Sequence, residues 1–172
     1  MEKEGFKVTP WDVQGEIDYN KLIKEFGVEQ LPSLSAIFNK NILFRRKIVF
    51  AHRDMVRIIE AIKNKKNFVI MTGLMPTGKF HLGHTIIVKQ LIFYQSLGAK
   101  LYIAVADLEA YNTRGQSIEE SREIAIEEYI KNYIALGLKP KNCEIYFQSA
   151  RSKDATKSNA YYELQNLLAR YV

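Results

Sequence analysis

The sequence predicts an α/β fold with a parallel sheet, and three observations predict it. Two short apolar runs, Phe68–Thr72 and Leu101–Ala106, have the continuous hydrophobic character of buried strands. Each run is followed by a segment with helical periodicity, so strand and helix alternate along the chain. A third strand-like run, Glu144–Gln148, comes after a long predicted helix. This order is that of the first half of a Rossmann-like doubly wound parallel sheet.

A small, mainly helical N-terminal extension is expected over residues 1–65, ahead of the sheet-forming part at residues 66–172. Residues 1–17 are typical of an extended, turn-rich arm. Asp18 is a suitable cap for a helix over Tyr19–Phe26, because its carboxylate can accept a hydrogen bond from the first free backbone N–H groups.

Two further helices are predicted in the extension. Pro32 and Ser33 are typical of the start of a short helix within a mixed segment. Asp54–Lys66 has apolar residues at helical spacing and a basic last turn, which the helix dipole favours.

The sheet-forming part has three predicted helices. The first follows Gly83 and stops at Gly98, with one apolar face formed by Ile87, Leu91 and Tyr94. A capping box at Ser117–Glu120 opens the second, which ends near Gly137. The third is an amphipathic helix over Tyr161–Tyr171.

Two small clusters have structural interpretations. His52, followed by Arg53 and Asp54, is predicted to form a cap and salt-bridge cluster. Tyr129 and Tyr133 are four residues apart on the second long helix and are predicted to form a packing stripe.

Composition bounds the class of protein. The 172 residues are 47% hydrophobic, which is enough for a real core. A net charge of +6 favours an anionic partner such as a nucleotide or tRNA, although a solvated lysine-rich surface explains it as well. The single cysteine, Cys143, excludes an internal disulfide framework and a multi-cysteine zinc site. Without an apolar leader or a run of about 18 apolar residues, the chain is expected to be cytoplasmic.

The segment Gly73–Lys79 spells G-x-x-x-x-G-K, the motif of phosphate-binding loops in nucleotide hydrolases. That motif ends in Ser or Thr, whose hydroxyl coordinates Mg²⁺, but the next residue here is Phe80. Pro76 also removes one backbone N–H from a loop that binds through such groups. A true phosphate-binding loop of this kind is therefore disfavoured.

The overlapping motif H-x-G-H, at 81–84, fits nucleotide binding at every position. Gly83 has no Cβ, so a flat ligand can approach the backbone. His81 and His84 are short donors that can reach phosphate oxygens. The start of the following helix adds a partial positive charge. Together these groups can bind a triphosphate and stabilise charge on its α-phosphate.

A resemblance to a known family follows from these residues. The segment Pro76–His84 fits the signature of class I aminoacyl-tRNA synthetases. Upstream segments are similar to archaeal and eukaryotic tryptophanyl-tRNA synthetases in their order and approximate spacing, and the similarity extends from about Val8 to the chain end: Val8–Val13, Ile17–Ile23, Phe26–Gly27, Leu43–Arg46 and Phe50–Met55.

The resemblance implies ATP-dependent activation of tryptophan and its transfer to tRNA(Trp), with Mg²⁺ accompanying ATP and no tightly bound metal. It implies catalytic roles for Thr77, His81 and His84. The implied ATP-binding residues are Thr72, Gly73, Pro76, Thr77, Gly78, His81, Gly83 and His84. The implied amino-acid-binding residues are Met71, Gly73, Ala104, Asp107 and Glu109. Glu109 is the preferred partner for the substrate ammonium, whereas Asp107 is equally interpretable as a helix cap.

Alternatives stay open. At the positions of Met71 and Ala104, many tryptophanyl enzymes have Tyr and Gln instead. The segment Ala106–Tyr111 resembles tyrosyl-tRNA synthetases, so tyrosine is an alternative substrate. An H-x-G-H adenylyltransferase is a second alternative, although about 66 residues precede the motif here. A third is a non-catalytic synthetase-like module that binds RNA or a partner protein.

The resemblance also implies an N-terminal portion of a longer enzyme. The second nucleotide motif of the family, Lys-Met-Ser-Lys-Ser, has no counterpart, because Lys153–Ser158 is only loosely similar and lies too early. The complete enzyme is expected to be a homodimer.

Overall fold

The computed structural model describes residues 7–8, 13–14, 19–31, 36–150 and 168–169. The chain divides into two compact units, Met1–Ile59 and Glu60–Val172. The assignment of residues 1–65 to an extension stays a prediction. The predicted cap at Asp18 and the helix start at Pro32 and Ser33 lie outside the described residues. Of the predicted final helix only residues 168–169 are described, and both are helical.

The first unit begins with short elements. Strand β1 (Lys7–Val8) pairs antiparallel with β2 (Val13–Gln14). Helix α1 (Tyr19–Glu25) confirms the predicted helix to within one residue. It ends at Gly27, whose φ of +57° favours glycine because a Cβ would be strained there.

A second ladder follows in the same unit. Strand β3 (Glu29–Gln30) pairs antiparallel with β4 (Ala51–His52), and helix α2 (Ile42–Arg45) lies between them in the chain. The Asn41 side chain caps α2 by accepting a hydrogen bond from the Leu43 N–H at 2.8 Å. The predicted extension thus contains two short strand pairs in addition to its helices. These pairs were not predicted from the sequence.

Helix α3 (Met55–Lys63) confirms the predicted helix with shorter ends. His52 Nδ1 accepts a hydrogen bond from the Met55 N–H at 3.3 Å, so the predicted capping role of His52 is confirmed. The predicted salt bridge is not, because the ion pairs among the described residues do not include His52, Arg53 or Asp54. Arg53 donates a hydrogen bond to the Phe26 carbonyl at 2.7 Å, which ties two segments of the first unit together.

The second unit is built on a three-stranded parallel sheet, as predicted. Its strands are β5 (Val69–Leu74), β6 (Lys100–Val105) and β7 (Cys143–Phe147), in the order β5-β6-β7. The central strand β6 is buried at Leu101, Ile103, Ala104 and Val105, which confirms its predicted burial on both faces. An α/β architecture with the start of a Rossmann-like sheet is thereby confirmed.

Helix α4 (Leu82–Ser96) connects β5 to β6 and stops before Gly98, whose φ is +97°. The predicted apolar face was wrong at Ile87, which is 44% exposed, whereas Val88 and Leu91 are buried. The reason is that α4 carries apolar residues nearly all round, so its pattern does not single out one face.

The connection from β6 to β7 is helical. It consists of α5 (Asp107–Arg114), α6 (Ile118–Ile124), a π-helical segment (Ala125–Ile130) and α7 (Lys131–Ala135). The Ser117 hydroxyl caps α6 by accepting from the Glu120 N–H at 3.0 Å, and Gly137 follows α7 with a φ of +111°. The predicted long helix is confirmed in its ends, but its middle is π-helical. There the Lys131 N–H donates to the Ile126 carbonyl five residues earlier.

Candidate functional site

The loop between β5 and α4 lies beyond the carboxyl end of its strand, where α/β sheets bind ligands. Pro76 is fully buried and anchors this loop. The Thr77 N–H donates to the Met75 carbonyl at 2.9 Å, forming a tight turn. Gly78 follows with a φ of +139°, which only glycine adopts without strain. Thr77 and Gly78 are exposed, so a ligand has access to the loop backbone.

Two histidines form a reciprocal cap at the start of α4. His81 is the N-cap residue, and its Nδ1 accepts a hydrogen bond from the Gly83 N–H at 3.2 Å. In return, His84 Nδ1 accepts from the His81 N–H at 3.2 Å. The two imidazole rings stack with their centroids 3.8 Å apart. The H-x-G-H spacing thus produces a capping box in which histidine replaces the usual hydroxyl and carboxylate.

This cap determines which ring nitrogen carries the proton. Because each Nδ1 accepts from a backbone N–H, the neutral form of each ring is protonated at Nε2. Both histidines therefore have an Nε2–H donor that the cap does not use. Burial, and then the positive charge of His81, lower the pKa of His84, so the neutral ring is favoured at physiological pH.

The absence of a side chain at Gly83 also has a steric explanation that the sequence did not reveal. A Cβ at this position would lie 3.0 Å from His81 Cε1 and 3.1 Å from His81 Nδ1, closer than real Cβ atoms usually approach. The close approach of the His81 ring to the backbone is what the cap hydrogen bond requires. A larger residue would thus force the His81 ring to shift by a few tenths of an ångström, so glycine favours the cap in addition to the predicted access for a flat ligand.

Phe80 lies where a hydrolase phosphate loop has a hydroxyl. Its ring packs against His84, with centroids 5.3 Å apart, and against Tyr129 and Tyr133, each at 6.1 Å. Phe80 is thus part of an aromatic cluster that supports α4, which agrees with the interpretation against a magnesium-binding phosphate loop.

Two carboxylates follow β6, and the structure separates them. Asp107 is fully buried. Its Oδ1 accepts from the Leu108 and Ser149 N–H groups at 3.1 Å each, and its Oδ2 contacts the Ser149 hydroxyl and Arg122 Nε, the latter at 3.5 Å. Glu109, two residues later, is exposed in the first turn of α5.

This geometry gives Asp107 a structural role, whereas the Glu109 carboxylate is accessible from outside. The predicted N-cap role of Asp107 is wrong, because Ala106 occupies the N-cap position of α5 and Asp107 is the first helical residue.

The remaining predicted amino-acid-binding residues share one face of the sheet. Gly73 is registered with Ala104, and Met71 lies two residues before Gly73 on the same side of β5. Met71 is 67% exposed, whereas Ala104 is nearly buried. Thr72 points to the opposite side of β5, and its hydroxyl makes a long contact of 3.4 Å with the Gly73 carbonyl. The shared face is small and apolar near the loop.

Two residues at this site were not predicted to be part of it. Tyr146 of β7 is registered with Ala104 and thus lies on the same face, which only the strand pairing reveals. Tyr129 was predicted only as a packing residue. Its burial and that of Tyr133 confirm the stripe, but its ring also lies 5.0 Å from that of His84.

Neither a metal site nor a membrane span is found in the described part of the chain. Within the ranges that the structure describes, no group of three or more His, Cys, Asp and Glu side chains is arranged to hold a metal ion. None of the helices in these ranges is long and apolar enough to span a membrane.

Comparison with known proteins gives a family. Residues 63–169 match the model of the class I tRNA synthetases for tryptophan and tyrosine, described as "tRNA synthetases class I (W and Y)". The chain is 45% identical over 148 residues to the tryptophan--tRNA ligase of Methanocaldococcus jannaschii, covering 86% of this chain and 40% of that protein. It is 49% identical over 148 residues to the corresponding ligase of Thermoplasma volcanium, covering 86% and 33%.

Solved structures agree. The tryptophanyl-tRNA synthetase of Aeropyrum pernix superimposes with a TM-score of 0.71 at 41% identity, over 90% of this chain and 42% of that one. The tryptophan-bound enzyme of Encephalitozoon cuniculi gives 0.69 at 32% identity, over 77% and 39%. The chain thus spans between 33% and 42% of the length of these relatives.

Proposed function

Because this chain belongs to the class I tRNA synthetases of the tryptophan and tyrosine family, we propose that it supplies the ATP site for joining tryptophan to tRNA(Trp). The tryptophan assignment is supported by similarity to tryptophan--tRNA ligases. It also agrees with the segments from Val8 onward that are similar to tryptophanyl enzymes. The cytoplasmic location, the tRNA partner and the homodimer of the complete enzyme belong to the same proposal.

The observation that carries the proposal is the reciprocal histidine cap. The cap uses the Nδ1 atoms and leaves the Nε2–H donors of His81 and His84 outside its hydrogen bonds, beside the positive end of the α4 dipole. Thr77 and Gly78 present an exposed backbone in the adjacent loop. Fixed donors of this kind stabilise negative charge on a phosphoryl group without reorganising as the charge develops.

The proposed reaction needs little proton transfer. A carboxylate oxygen of tryptophan attacks the α-phosphorus of ATP, and the bond from that phosphorus to the bridging oxygen of pyrophosphate breaks in line. The products are tryptophanyl-adenylate and pyrophosphate, whose charge Mg²⁺ arriving with ATP helps to neutralise. His81 and His84 donate to the phosphates of ATP. The rest of the ATP site is shaped by Thr72, Gly73, Pro76, Thr77, Gly78 and Gly83. Positioning and charge stabilisation supply most of the acceleration.

The amino acid is proposed to lie against the shared face of β5 and β6. Met71, Gly73 and Ala104 offer an apolar surface for the indole, and the exposed carboxylate of Glu109 is suited to the ammonium group. Asp107 contributes indirectly by holding the first turn of α5, from which Glu109 projects.

Tyrosine is the second candidate substrate, and the observation that favours it is the resemblance of Ala106–Tyr111 to tyrosyl-tRNA synthetases. Neither Met71 nor Ala104 supplies a hydrogen-bonding group, so the apolar surface alone separates the two aromatic substrates by only about 1–3 kcal/mol. The nearby Tyr146 hydroxyl lies on the same face of the sheet and makes that face less apolar.

Pyrophosphate exchange into ATP by the complete gene product tests both candidates. Dependence on tryptophan is expected, whereas dependence on tyrosine would move the assignment to the second candidate. The double variant His81→Ala/His84→Ala should reduce exchange about a hundredfold or more, since each lost donor is worth about 2.7–4 kcal/mol. Lys89→Ala, an exposed change on the same helix, is the matched control and should leave exchange unchanged. Exchange with neither amino acid would contradict the proposed function.

A further inference from the structure

A buried tyrosine from the long helical connection lies behind both halves of the nucleotide motif. The Tyr129 ring meets the His84 ring edge-on, with centroids 5.0 Å apart and planes 70° apart. The Tyr129 ring also lies 6.1 Å from that of Phe80, in the loop that precedes α4. Tyr129 is only 3% exposed. One side chain therefore contacts the loop and the second histidine of the motif at once.

The π-helical segment Ala125–Ile130 places Tyr129 there. Its hydrogen bonds span five residues, as in the bond from the Lys131 N–H to the Ile126 carbonyl. Such segments are rare and occur frequently at functional sites. Tyr129 is the next-to-last residue of this segment, and Tyr133 follows one turn later in α7.

Tyr133 provides a comparison within the same helix. It is also 3% exposed, and its ring also lies 6.1 Å from that of Phe80. Tyr129 differs by its contact with His84. Burial of aromatic surface is thus common to both tyrosines, whereas the contact with the second histidine of the motif is a property of Tyr129.

We propose that Tyr129 is a positioning residue for the nucleotide site, holding the His84 imidazole by its ring. This proposal rests on the proposed function in one respect, because it assumes that His84 contacts ATP. Its structural part, the orientation of His84 by Tyr129, stands on the ring contact alone.

Tyr129→Leu in the complete gene product tests the effect of the ring on ATP binding. The edge-on contact with His84 is lost, so the KM for ATP in pyrophosphate exchange should rise about two- to tenfold. Tyr129→Phe keeps the ring and should leave this KM unchanged. Tyr133→Leu is the matched control and should also leave it unchanged. Equal effects of the two leucine changes on the KM for ATP would overturn the proposal, because they would show a general packing role.

Tyr129→Leu tests the ring without relying on catalysis. Leucine opens the space beside His84, so the His84 imidazole should titrate closer to its ordinary value, as followed by the NMR signal of its Cε1 proton. Tyr133→Leu should leave that titration unchanged even if it destabilises the fold to a similar degree. Identical His84 titration in the wild type and in Tyr129→Leu would contradict the role of the ring.

The two experiments also separate failure of the inference from failure of the proposed function. A protein without pyrophosphate exchange refutes the proposed function, but the His84 titration still decides whether Tyr129 positions the histidine. Conversely, normal exchange with an ATP KM unaffected by Tyr129→Leu refutes the positioning role of the ring and leaves the proposed function intact.

Discussion

His81 and His84 each stabilise the start of α4 with one nitrogen, and their other nitrogen lies outside this cap. Their Nδ1 atoms accept backbone hydrogen bonds at 3.2 Å, which fixes both rings relative to the start of α4. A side chain held in this way loses little further entropy when it donates to a ligand. The two histidines could be assigned to a nucleotide site from their spacing around Gly83. Their reciprocal cap could not, because it depends on the ring orientations.

At this scale the first prediction concerns Gly83→Ala. The added Cβ would displace the His81 ring from its cap hydrogen bond, since it would lie 3.0 Å from Cε1. Loss of a cap costs about 1 kcal/mol, and alanine in place of glycine in a helix recovers up to about 1 kcal/mol. The midpoint of thermal unfolding should therefore change little, while pyrophosphate exchange falls at least about tenfold because one donor is misplaced. A large loss of stability with normal exchange would contradict this.

The second prediction concerns pH. The pKa of His84 lies below its ordinary value of 6.5 because of burial and the charge of His81. The unfolded chain therefore binds the proton more readily, and the free energy of unfolding should fall as pH is lowered from 6.5 toward the folded pKa. Above pH 6.5, His84 should no longer contribute to the pH dependence of the free energy of unfolding.

Removing the neighbouring charge checks the cause. His81→Asn keeps a side-chain oxygen that can accept from the Gly83 N–H but carries no charge, so the pKa of His84 should rise when it is measured by NMR titration. Lys89→Ala should leave this titration unchanged. A His84 pKa that is the same in His81→Asn and the wild type would show that burial acts alone.

At the scale of elements, a buried carboxylate ties two helices to the segment that follows the last strand of the sheet. Asp107 at the start of α5 contacts Ser149, which follows β7, and Arg122 of α6. Ser149 itself accepts a hydrogen bond from Arg122 at 2.6 Å. These residues are far apart in sequence, so no local pattern reveals their association. The motif position of Asp107 alone could not distinguish a ligand from a structural tie.

The third prediction compares the two carboxylates of α5. Asp107→Ala leaves the Ser149 N–H and Arg122 without their buried acceptor and should lower the free energy of unfolding by about 2–4 kcal/mol. Glu109→Ala removes an exposed carboxylate and should change stability by less than about 0.5 kcal/mol, while raising the KM for the amino acid. Urea unfolding and pyrophosphate exchange measure the two effects. The reverse pattern, with Glu109 controlling stability, would refute the division of roles.

For the whole molecule, the two edges of the parallel sheet differ. The predicted ligand-binding residues that follow a strand lie at the carboxyl edge. At the amino edge, Gln95 of α4 makes hydrogen bonds with the chain just before β7. Gln95 Nε2 donates to the Lys139 and Lys141 carbonyls at 2.8 and 2.9 Å, and its Oε1 accepts from the Lys139 N–H at 3.1 Å. This clamp fixes the approach of the chain to β7.

The fourth prediction tests this difference between the edges. Gln95→Ala should lower the free energy of unfolding by about 1 kcal/mol, since the contacts are partly exposed to solvent. The KM for ATP and for the amino acid should be unchanged, because the clamp lies at the opposite edge from the nucleotide site. A rise of either KM without loss of stability would show that the amino edge also influences binding.

The sequence was most informative where one physical signal dominates. The three strands of the sheet were predicted because their apolar runs are long and bounded by helical segments. The ladders of β1 with β2 and of β3 with β4 were missed, because strands of two residues have no periodicity to detect. The buried face of α4 was misassigned since apolar residues surround that helix. Likewise, the π-helical segment results from tertiary packing rather than from local propensity.

The π-helical turn also limits how this protein can be redesigned. Deleting one residue between 125 and 128 would restore a regular α-helix, and the parts of the helix before and after the deletion would then be rotated by about 100° relative to each other. With Ser121 and Ala125 kept in the core, Tyr129 and Tyr133 would turn away from the aromatic cluster around Phe80. With the tyrosines kept in place, the first two residues would leave the core instead. A regular α-helix therefore cannot keep the buried residues on both sides of the π-helical segment in place. In chimaeras with relatives, the two parent sequences must have the same number of residues in this segment.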